Sequence, residues 1–411
     1  MHTGAQAQES IARRGPSLSP VADTRILMRV TSSYYHTHAI AALASQYCCV
    51  FPDALLEDLA LDLSPHPEVE AVAVVDRAGR PRGILRRRHV HAMLSRPYAW
   101  EVFKRSSVLE AMEEAPTVHQ ETHYLSVFAD AREHIYGEDP RYYVLVDDSG
   151  RYTGMVSTRD MLVYSYRRIM EDLSLARTIQ QRIHPAEQEI HRPGLSCLTF
   201  TSMSQGIGGD YLNIRSYRPG TWFILMGDVS GKGIAASLVA SLLDGIFRTY
   251  RGKEGAEGLL THLNAHLYHL FALEKFLTAV LVVAREGSPT VTIYDMGHSY
   301  LFLIREGRIK RLKTHQSNLP LGIHPELSPV ANTLTLKEGD VLFAHTDGLT
   351  EQHNPEGATF SYDRITRAVD AWDGNEIRTL KDLILHEHLT FRDSHPQEDD
   401  ITFFLLTIYP P

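Results

Sequence analysis

The strongest constraint on this chain is a stretch that it carries twice. Val72-Ala73-Val74-Val75-Asp76-Arg77-Ala78-Gly79-Arg80 recurs as Tyr143-Val144-Leu145-Val146-Asp147-Asp148-Ser149-Gly150-Arg151, with an offset of 71 residues from Asp76 to Asp147. The register holds beyond the match, since Gly83 answers to Gly154 and Arg88 to Arg159. Each copy reads as a strand, an Asp/Gly turn, a second strand and a helix. A hairpin with one helix cannot cover its own apolar face, so the two copies should pack together as one unit. Chance similarity of two hairpins does not explain so long a shared register.

The remaining chain sorts around this repeat. Residues 1–20 are polar, with Gln, Ser, Gly and Pro, and read as a mobile tail. Residues 21–165 hold the repeat and a helical pattern at Leu55, Leu56, Leu59 and Leu63. A linker over 162–190 follows, and then a third region, 191–411. Within the linker Leu162, Tyr166, Ile169, Leu173, Ala176, Gln180 and Ile183 alternate steps of four and three. That is a heptad seam with one polar position, which predicts a helix ending near Pro185. Such a helix either packs on its own domain or pairs two copies as a homodimer, and pairing would need help from neighbouring domains because the seam is short.

Composition narrows the function classes. The net charge of −9 disfavours a nucleic-acid partner. Cys48, Cys49 and Cys197 cannot build a disulfide framework. No apolar run reaches membrane-spanning length, and the N-terminus lacks the charged-then-apolar order of a signal peptide. A cytoplasmic protein is the expectation.

The third region carries the chemistry. Short strands are predicted at Cys197–Ser202, Tyr211–Tyr217, Thr221–Met226, Phe276–Ala284, Thr290–Met296, Leu301–Arg305, Val341–His345 and Ile401–Ile408, with a hairpin at Gly307 and helices after Gly233 and Gly255. Antiparallel strands with two long helices suggest a sandwich whose helices cover the outer sheet faces. One turn stands out, Gly227-Asp228-Val229-Ser230-Gly231-Lys232-Gly233. It is no Walker loop, which needs four residues between its first Gly and the Gly-Lys pair and then Ser or Thr. Asp228 is one of four acids at strand ends or turns, with Asp210 after Gly208-Gly209, Asp347 before Gly348 and Asp399 before the last strand. One such acid alone is a turn former or a cap. Four that converge would repel one another and lose hydration unless cations lay between them. Oxygen ligands favour hard ions, Mg²⁺ or Mn²⁺, and two of them about 3.5–4 Å apart can acidify a water and clamp a phosphoryl group.

Two family resemblances sharpen this. The repeat, over roughly residues 25–165, resembles a cystathionine-β-synthase (CBS) domain pair, a Bateman module that commonly senses adenine nucleotides. Its ribose signature is matched by Ser157-Thr158-Arg159-Asp160, so Ser157 and Asp160 are the implied ligand residues, although Ser-x-x-Asp is also a plain capping box. The first copy departs, with Arg86 and His89 at those positions, where they offer positive charge to a phosphate or simply a solvated face. The third region, over about residues 170–408, resembles the metal-dependent (type 2C, PPM) serine/threonine phosphatases, closest to their bacterial SpoIIE/RsbU-like branch. The residues that carry this are Gly208-Gly209-Asp210-Tyr211, the Gly227–Gly233 turn, Met296-Gly297-His298, Leu321-Gly322-Ile323, Gly339-Asp340, Thr346-Asp347-Gly348-Leu349-Thr350-Glu351 and Asp399-Asp400-Ile401-Thr402.

The resemblance implies an α+β chain: CBS pair, helical linker and PPM-type α/β-β/α sandwich. It implies two divalent cations, Mn²⁺ or Mg²⁺. Asp228 would bridge both, the Val229 carbonyl would hold one, Asp347 and Asp399 the other, and Asp210 metal-bound waters. Metal-activated water would then attack a phosphoserine or phosphothreonine. Asp400 is expected to be structural, His298 to shape its turn or serve as an acid, and His345 to be a core histidine. Lys232 either attracts phosphate or is a solvated lysine at a helix start. The arginine that grips phosphate in eukaryotic members has no clear counterpart near Ser196–Asp210. The leading expectation is therefore a CBS-regulated protein phosphatase acting on an anti-sigma-factor antagonist, a STAS-domain protein, in a partner-switching pathway. A non-catalytic adaptor on the same fold is the alternative. A nucleotide-binding kinase ranks last, because both a Walker loop and a kinase catalytic loop are missing.

Overall fold

A computed structural model describes residues 17–31, 38–95, 98–134, 139–251, 254–271, 273–314 and 318–409. The chain divides into two compact units, residues 1–172 and 173–411. Most of the expected tail lies outside the described residues, but its last four, Ser17–Pro20, form strand β1 rather than a free end. They pair antiparallel with β2 (Met28–Thr31), which gives their backbone groups partners.

The first unit continues with β3 (Cys48–Val50), helix α1 (Leu56–Leu63), the hairpin β4 (Ala71–Val75) and β5 (Pro81–Arg86), and α2 (Arg87–Leu94). After α3 (Ala99–Phe103) come β6 (Thr117–His119), α4 (Tyr124–Ala131), the hairpin β7 (Tyr142–Val146) and β8 (Tyr152–Ser157), and the long helix α5 (Thr158–Ile183). The repeat holds bond for bond. Asp76 Oδ1 accepts from the backbone N–H of Ala78 and Arg80, both at 2.9 Å. Asp147 Oδ1 accepts likewise from Ser149 and Arg151, also at 2.9 Å. A parallel strand flanks each hairpin, β3 beside β4 and β6 beside β7. The two hairpins share one core, in which Ala71, Ala73, Val75 and Ile84 meet Tyr142, Val144, Tyr152 and Met155. Neither copy covers that face alone, which is why they pack together.

The second unit holds β9 (Glu187–Arg192), β10 (Leu195–Ser202), β11 (Tyr211–Arg218), β12 (Thr221–Val229), α6 (Ile234–Thr249), α7 (Gly255–Phe271), β13 (Leu277–Arg285), β14 (Thr290–Met296), β15 (Leu301–Arg305), β16 (Arg308–Arg311), β17 (Asn332–Thr335), β18 (Val341–His345), α8 (Tyr362–Ala371), α9 (Ile377–Arg392) and β19 (Ile401–Ile408). Two antiparallel sheets form, in the orders β16-β15-β18-β19-β10-β9 and β11-β12-β13-β14-β17. Their inner faces meet through Cys197, Leu212, Ile224, Val280, Leu301, Leu342 and Phe404. Helices α6 and α7 cover one outer face through Val239, Leu243, Leu260 and Leu263. Helices α8 and α9 cover the other through Ile365, Val369, Leu380 and Ile384. The result is a sandwich of two sheets between two helix pairs, and α8 and α9 complete a layer that the sequence reading leaves bare. No described helix is long and apolar enough to cross a membrane.

Helix α5 runs unbroken through the heptad seam. Its two ends differ: Leu162, Tyr166 and Ile169 are exposed, whereas Gln180 is 4% exposed. The polar seam position is thus part of the second unit's own core.

Candidate functional site

Asp228 is the penultimate residue of β12, a strand hydrogen-bonded on both sides, opposite Thr278 of β13. Its backbone is therefore fixed before any ligand arrives. Gly227 has no room for a side chain, because a Cβ there would stand 2.6 Å from the Thr278 carbonyl oxygen. The turn that follows is pinned to the start of β13. Ser230 N–H donates to the Phe276 carbonyl at 2.9 Å, and Lys275 Nζ donates to the Ser230 carbonyl at 2.6 Å. Gly231 and Gly233 both have positive φ, 87° and 75°, where other residues are strained.

Asp210 lies just before β11, whose first residue, Tyr211, faces Gly227. It is 2% exposed, and its Oδ2 accepts from Thr346 Oγ1 at 2.8 Å. Asp347 follows β18, and Asp399 precedes β19. Those two segments are joined by Thr346, whose backbone N–H donates to the Thr402 carbonyl at 2.9 Å. Asp400 fastens the loop ahead of Asp210. Its Oδ1 accepts from Ser204 N–H at 2.9 Å and its Oδ2 from Gly209 N–H at 3.0 Å. It is a structural acid, in line with the expectation.

The electrostatics show what these acids do to one another. Burial first, then repulsion from Asp347, Asp399 and Asp400, pushes the Asp228 carboxyl up to about 7. Burial also raises Asp347, with Glu351 and Asp399 adding to the shift. Asp210 is raised by burial and by Asp228 and Asp400. Among the described residues Lys232 answers this charge: its Nζ lies 2.6 Å from Asp399 Oδ2, and its field lowers Asp228 and Asp347 alike. The donor chemistry, carboxylates with the Val229 carbonyl beside them, suits a hard divalent cation. The placement stops short of a cage. Among the described residues no group of three or more His, Cys, Asp or Glu side chains is arranged to hold a metal ion. Asp399 is engaged by lysine instead.

The two histidines flanking the site are structural. His298 is 4% exposed, and its Nε2 bonds the His345 carbonyl oxygen at 2.8 Å. Its backbone N–H donates to Asp295 Oδ1 at 2.8 Å, so it holds the turn after β14 to β18. Burial pushes His345 down to about 3, the behaviour of a neutral core histidine.

Sequence reasoning missed one buried contact. Gln180 Nε2 donates to the Gly208 carbonyl at 2.7 Å, and Gly208 N–H donates to Gln180 Oε1 at 3.0 Å. A glutamine of α5 thus clamps both backbone groups of the residue two before Asp210. Only its break of the apolar seam marks it in the sequence.

In the first unit, Asp160 Oδ2 accepts from Ser157 N–H at 2.7 Å, from Ser157 Oγ at 2.6 Å and from Ser45 Oγ at 2.8 Å. Asp160 N–H donates back to Ser157 Oγ at 3.1 Å. This is a capping box at the start of α5. Arg86 and His89 both reach Glu113, at 2.6 Å and 2.7 Å. A cleft of about 790 Å³ opens among Arg86, Arg88, His89, Asp139, Tyr142 and Arg159.

Comparison with known proteins bears on the second unit. Residues 218–409 match the family described as Stage II sporulation protein E (SpoIIE). The similarity covers most of the second unit. Asp228, Asp347 and Asp399 fall inside the SpoIIE match, while Asp210 lies ahead of it. The Phosphoserine phosphatase RsbP of Bacillus subtilis (strain 168) is 23% identical over 249 residues, covering 58% of this chain and 58% of the relative. Protein IcfG of Synechocystis sp. (strain ATCC 27184 / PCC 6803 / Kazusa) is 23% identical over 270 residues, 58% of this chain and 41% of the relative. The match thus spans about half the length of these curated relatives. Among solved structures, the SiaA-PP2C domain of Pseudomonas aeruginosa is similar at 18% identity, with a TM-score of 0.49, over 60% of this chain and 98% of that one.

Proposed function

We propose that this chain is a metal-dependent phosphoserine/phosphothreonine protein phosphatase, with its catalytic unit over residues 191–411. The observation that carries this is Asp228, part-buried at the end of β12, with Asp347, Asp399 and Asp400 near enough to repel it. Burial first, and then repulsion from Asp347, Asp399 and Asp400, raises Asp228 to about 7. A fold that needed only turn formers would have no use for that cost. RsbP, a relative of this domain, is by name a phosphoserine phosphatase.

Asp228, Asp347, Asp399 and the Val229 carbonyl would hold divalent cations, two of Mn²⁺ or Mg²⁺, with Asp210 in support. When bound, such ions supply an acidified water and offset the charge of a phosphoryl group. The chain's own contribution is placement. β12 fixes Asp228, Thr346 ties Asp347's segment to β19, and Asp400 with Gln180 holds the loop before Asp210.

The finer parts of the proposal rest on the first unit and on α5. Two hairpins in identical register around one core favour a CBS pair, and its basic cleft suits the phosphates of an adenine nucleotide better than it suits a ribose. The exposed stripe of Leu162, Tyr166 and Ile169 favours pairing with a second copy. The family resemblance points to a STAS-domain phosphoprotein as substrate. The competing reading is an adaptor without catalysis, and the lysine on Asp399 is the observation that favours it.

Release of p-nitrophenol from p-nitrophenyl phosphate separates the two. The phosphatase turns over with added Mn²⁺ and Asp228→Ala does not. Equal rates in the two proteins would leave the adaptor. Phospho-STAS proteins with and without adenine nucleotides then test substrate and regulation.

A further inference from the structure

The cleft of the first unit breaks the symmetry of the repeat. At the offset of 71 residues, Arg86 answers to Ser157 and His89 to Asp160. In the second copy Asp160 closes on Ser157 and on Ser45. In the first copy both side chains turn to Glu113, Arg86 at 2.6 Å and His89 at 2.7 Å. Glu113 is itself fixed to β5: its N–H donates to the Ile84 carbonyl and its carbonyl accepts from Ile84 N–H, both at 2.9 Å. Arg86 is thereby held through Nε and Nη2, while its Nη1 stands 3.7 Å from Asp139, too far for a hydrogen bond. Arg88 engages Asp139 through Nη1, and Arg159 engages Glu70 through Nη1. Arg87 is employed differently, on the carbonyls of Leu63, His66 and Val69. Arg86, Arg88 and Arg159 thus line one cleft, of about 790 Å³, and each keeps further N–H donors among the described residues. The carboxylates of the cleft face these neighbours with both oxygens. Glu70 turns one to Arg159 and the other to Tyr142 Oη, and Asp139 turns one to Arg88 and the other toward Arg86.

We propose that this cleft binds a polyphosphate chain by charge, through Arg86, Arg88 and Arg159, and leaves the ribose hydroxyls unread. The proposal rests on the reading of the first unit as a nucleotide sensor and narrows its ligand class; it is independent of the phosphatase assignment. Reading a ribose takes a carboxylate that can accept from two neighbouring hydroxyls. The second copy's carboxylate caps α5, and in the first copy His89 stands in its place. Glu70 and Asp139 are turned to cations and a phenol instead. Guanidinium groups, by contrast, match phosphate oxygens with two N–H donors at a time. Arg88 is 79% exposed and Arg159 61%. Ion pairs at such exposure contribute little, so an arriving phosphate exchanges with Asp139 and Glu70 readily. The volume lies in the range of small-molecule sites. Phe103 and Met93 on the wall give a base an apolar surface without a hydrogen-bond pattern to select one. The ligand class is therefore a polyphosphate, free or carried by a nucleoside.

The test is calorimetric titration of the full-length chain, in metal-free buffer, with ATP, dATP, inorganic triphosphate and adenosine. The affinities for ATP and dATP should agree within about twofold, where a hydroxyl held by a carboxylate would make a difference of about tenfold or more. Inorganic triphosphate should bind and compete with ATP, and adenosine should do neither. Arg88→Gln changes an exposed side chain and should weaken triphosphate binding at least about tenfold, the loss of one charge-assisted contact. Arg86→Ser combined with His89→Asp gives the first copy the pattern of the second and should abolish triphosphate binding. ATP binding with dATP at least about tenfold weaker, or with no binding of triphosphate, would overturn this proposal and leave the nucleotide reading standing. Triphosphate binding unchanged in Arg88→Gln would place the anion elsewhere and overturn it as well. No binding of any of the three phosphates would overturn both readings.

Discussion

Gly348→Ala separates the acid-bearing segments without altering a carboxylate. A Cβ at Gly348 would stand 2.0 Å from the Asp400 carbonyl oxygen, 2.9 Å from its carbonyl carbon and 3.1 Å from Asp399 Cβ. Real Cβ atoms do not come within 3.0 Å of another heavy atom, so the Asp347 and Asp399–Asp400 segments would have to part by about 1 Å. The obstacle is backbone, and no side-chain rotation relieves it. Overpacking of this kind costs about 1–3 kcal/mol. A shift of about 1 Å between groups that act together costs about a hundredfold in rate. Urea unfolding followed by intrinsic fluorescence and phosphate release with Mn²⁺ read the two effects. Gly245→Ala is the control. It is exposed in the middle of α6, and a Cβ there meets nothing within 4 Å, so it should gain about 0.5–1 kcal/mol from helix propensity alone. Gly348→Ala with wild-type stability and activity would refute the close approach of the two segments.

Two further substitutions probe the surroundings. Gln180→Met leaves the buried N–H and C=O of Gly208 without partners, at about 1–3 kcal/mol each, and should lower both stability and turnover; a variant as stable as the wild type would show that the clamp carries no weight. His388 is 2% exposed beside Phe360, and burial, then the charge of Arg392, pushes it from 6.5 down to about 4. The unfolded chain therefore binds its proton more readily than the fold does, so stability is intact above about 6.5 and is lost as pH falls toward about 4, by about 3 kcal/mol at most. His388→Leu should remove that share of the slope, and parallel wild-type and mutant stability curves over this window would contradict it.

Much of the fold was legible because each element announced itself locally. The strands leading to Asp228 and Asp347 are apolar runs that end at glycine-flanked acids, and the repeat fixed two hairpins at once. The elements that were missed lack such local signals. β9 buries only Ile190 in an otherwise polar edge strand, and the short edge strand β17 has Leu334 as its one apolar residue. Ile377, Leu380 and Ile384 have helical spacing in α9, but His, Lys, Asp and Glu interrupt the run and dilute the pattern. At the site, sequence supplied the acids and could not supply their partners. Gln180 reads as a flaw in a seam because Gly208 is distant in the chain. The pairing of Lys232 with Asp399 joins opposite ends of the domain. Ser157 and Asp160 show the converse limit, since one four-residue pattern serves a cap and a ligand site alike, and in the fold it forms a cap.

The most direct measurement is calorimetric titration of Mn²⁺ into the chelator-treated full-length chain and into Asp228→Asn, Asp347→Asn and Asp399→Asn. If these carboxylates form one cation-binding unit, the wild type binds and each variant loses at least about tenfold in affinity, as removal of a charged ligand requires. Mn²⁺ affinity that is the same in all four proteins would contradict the account.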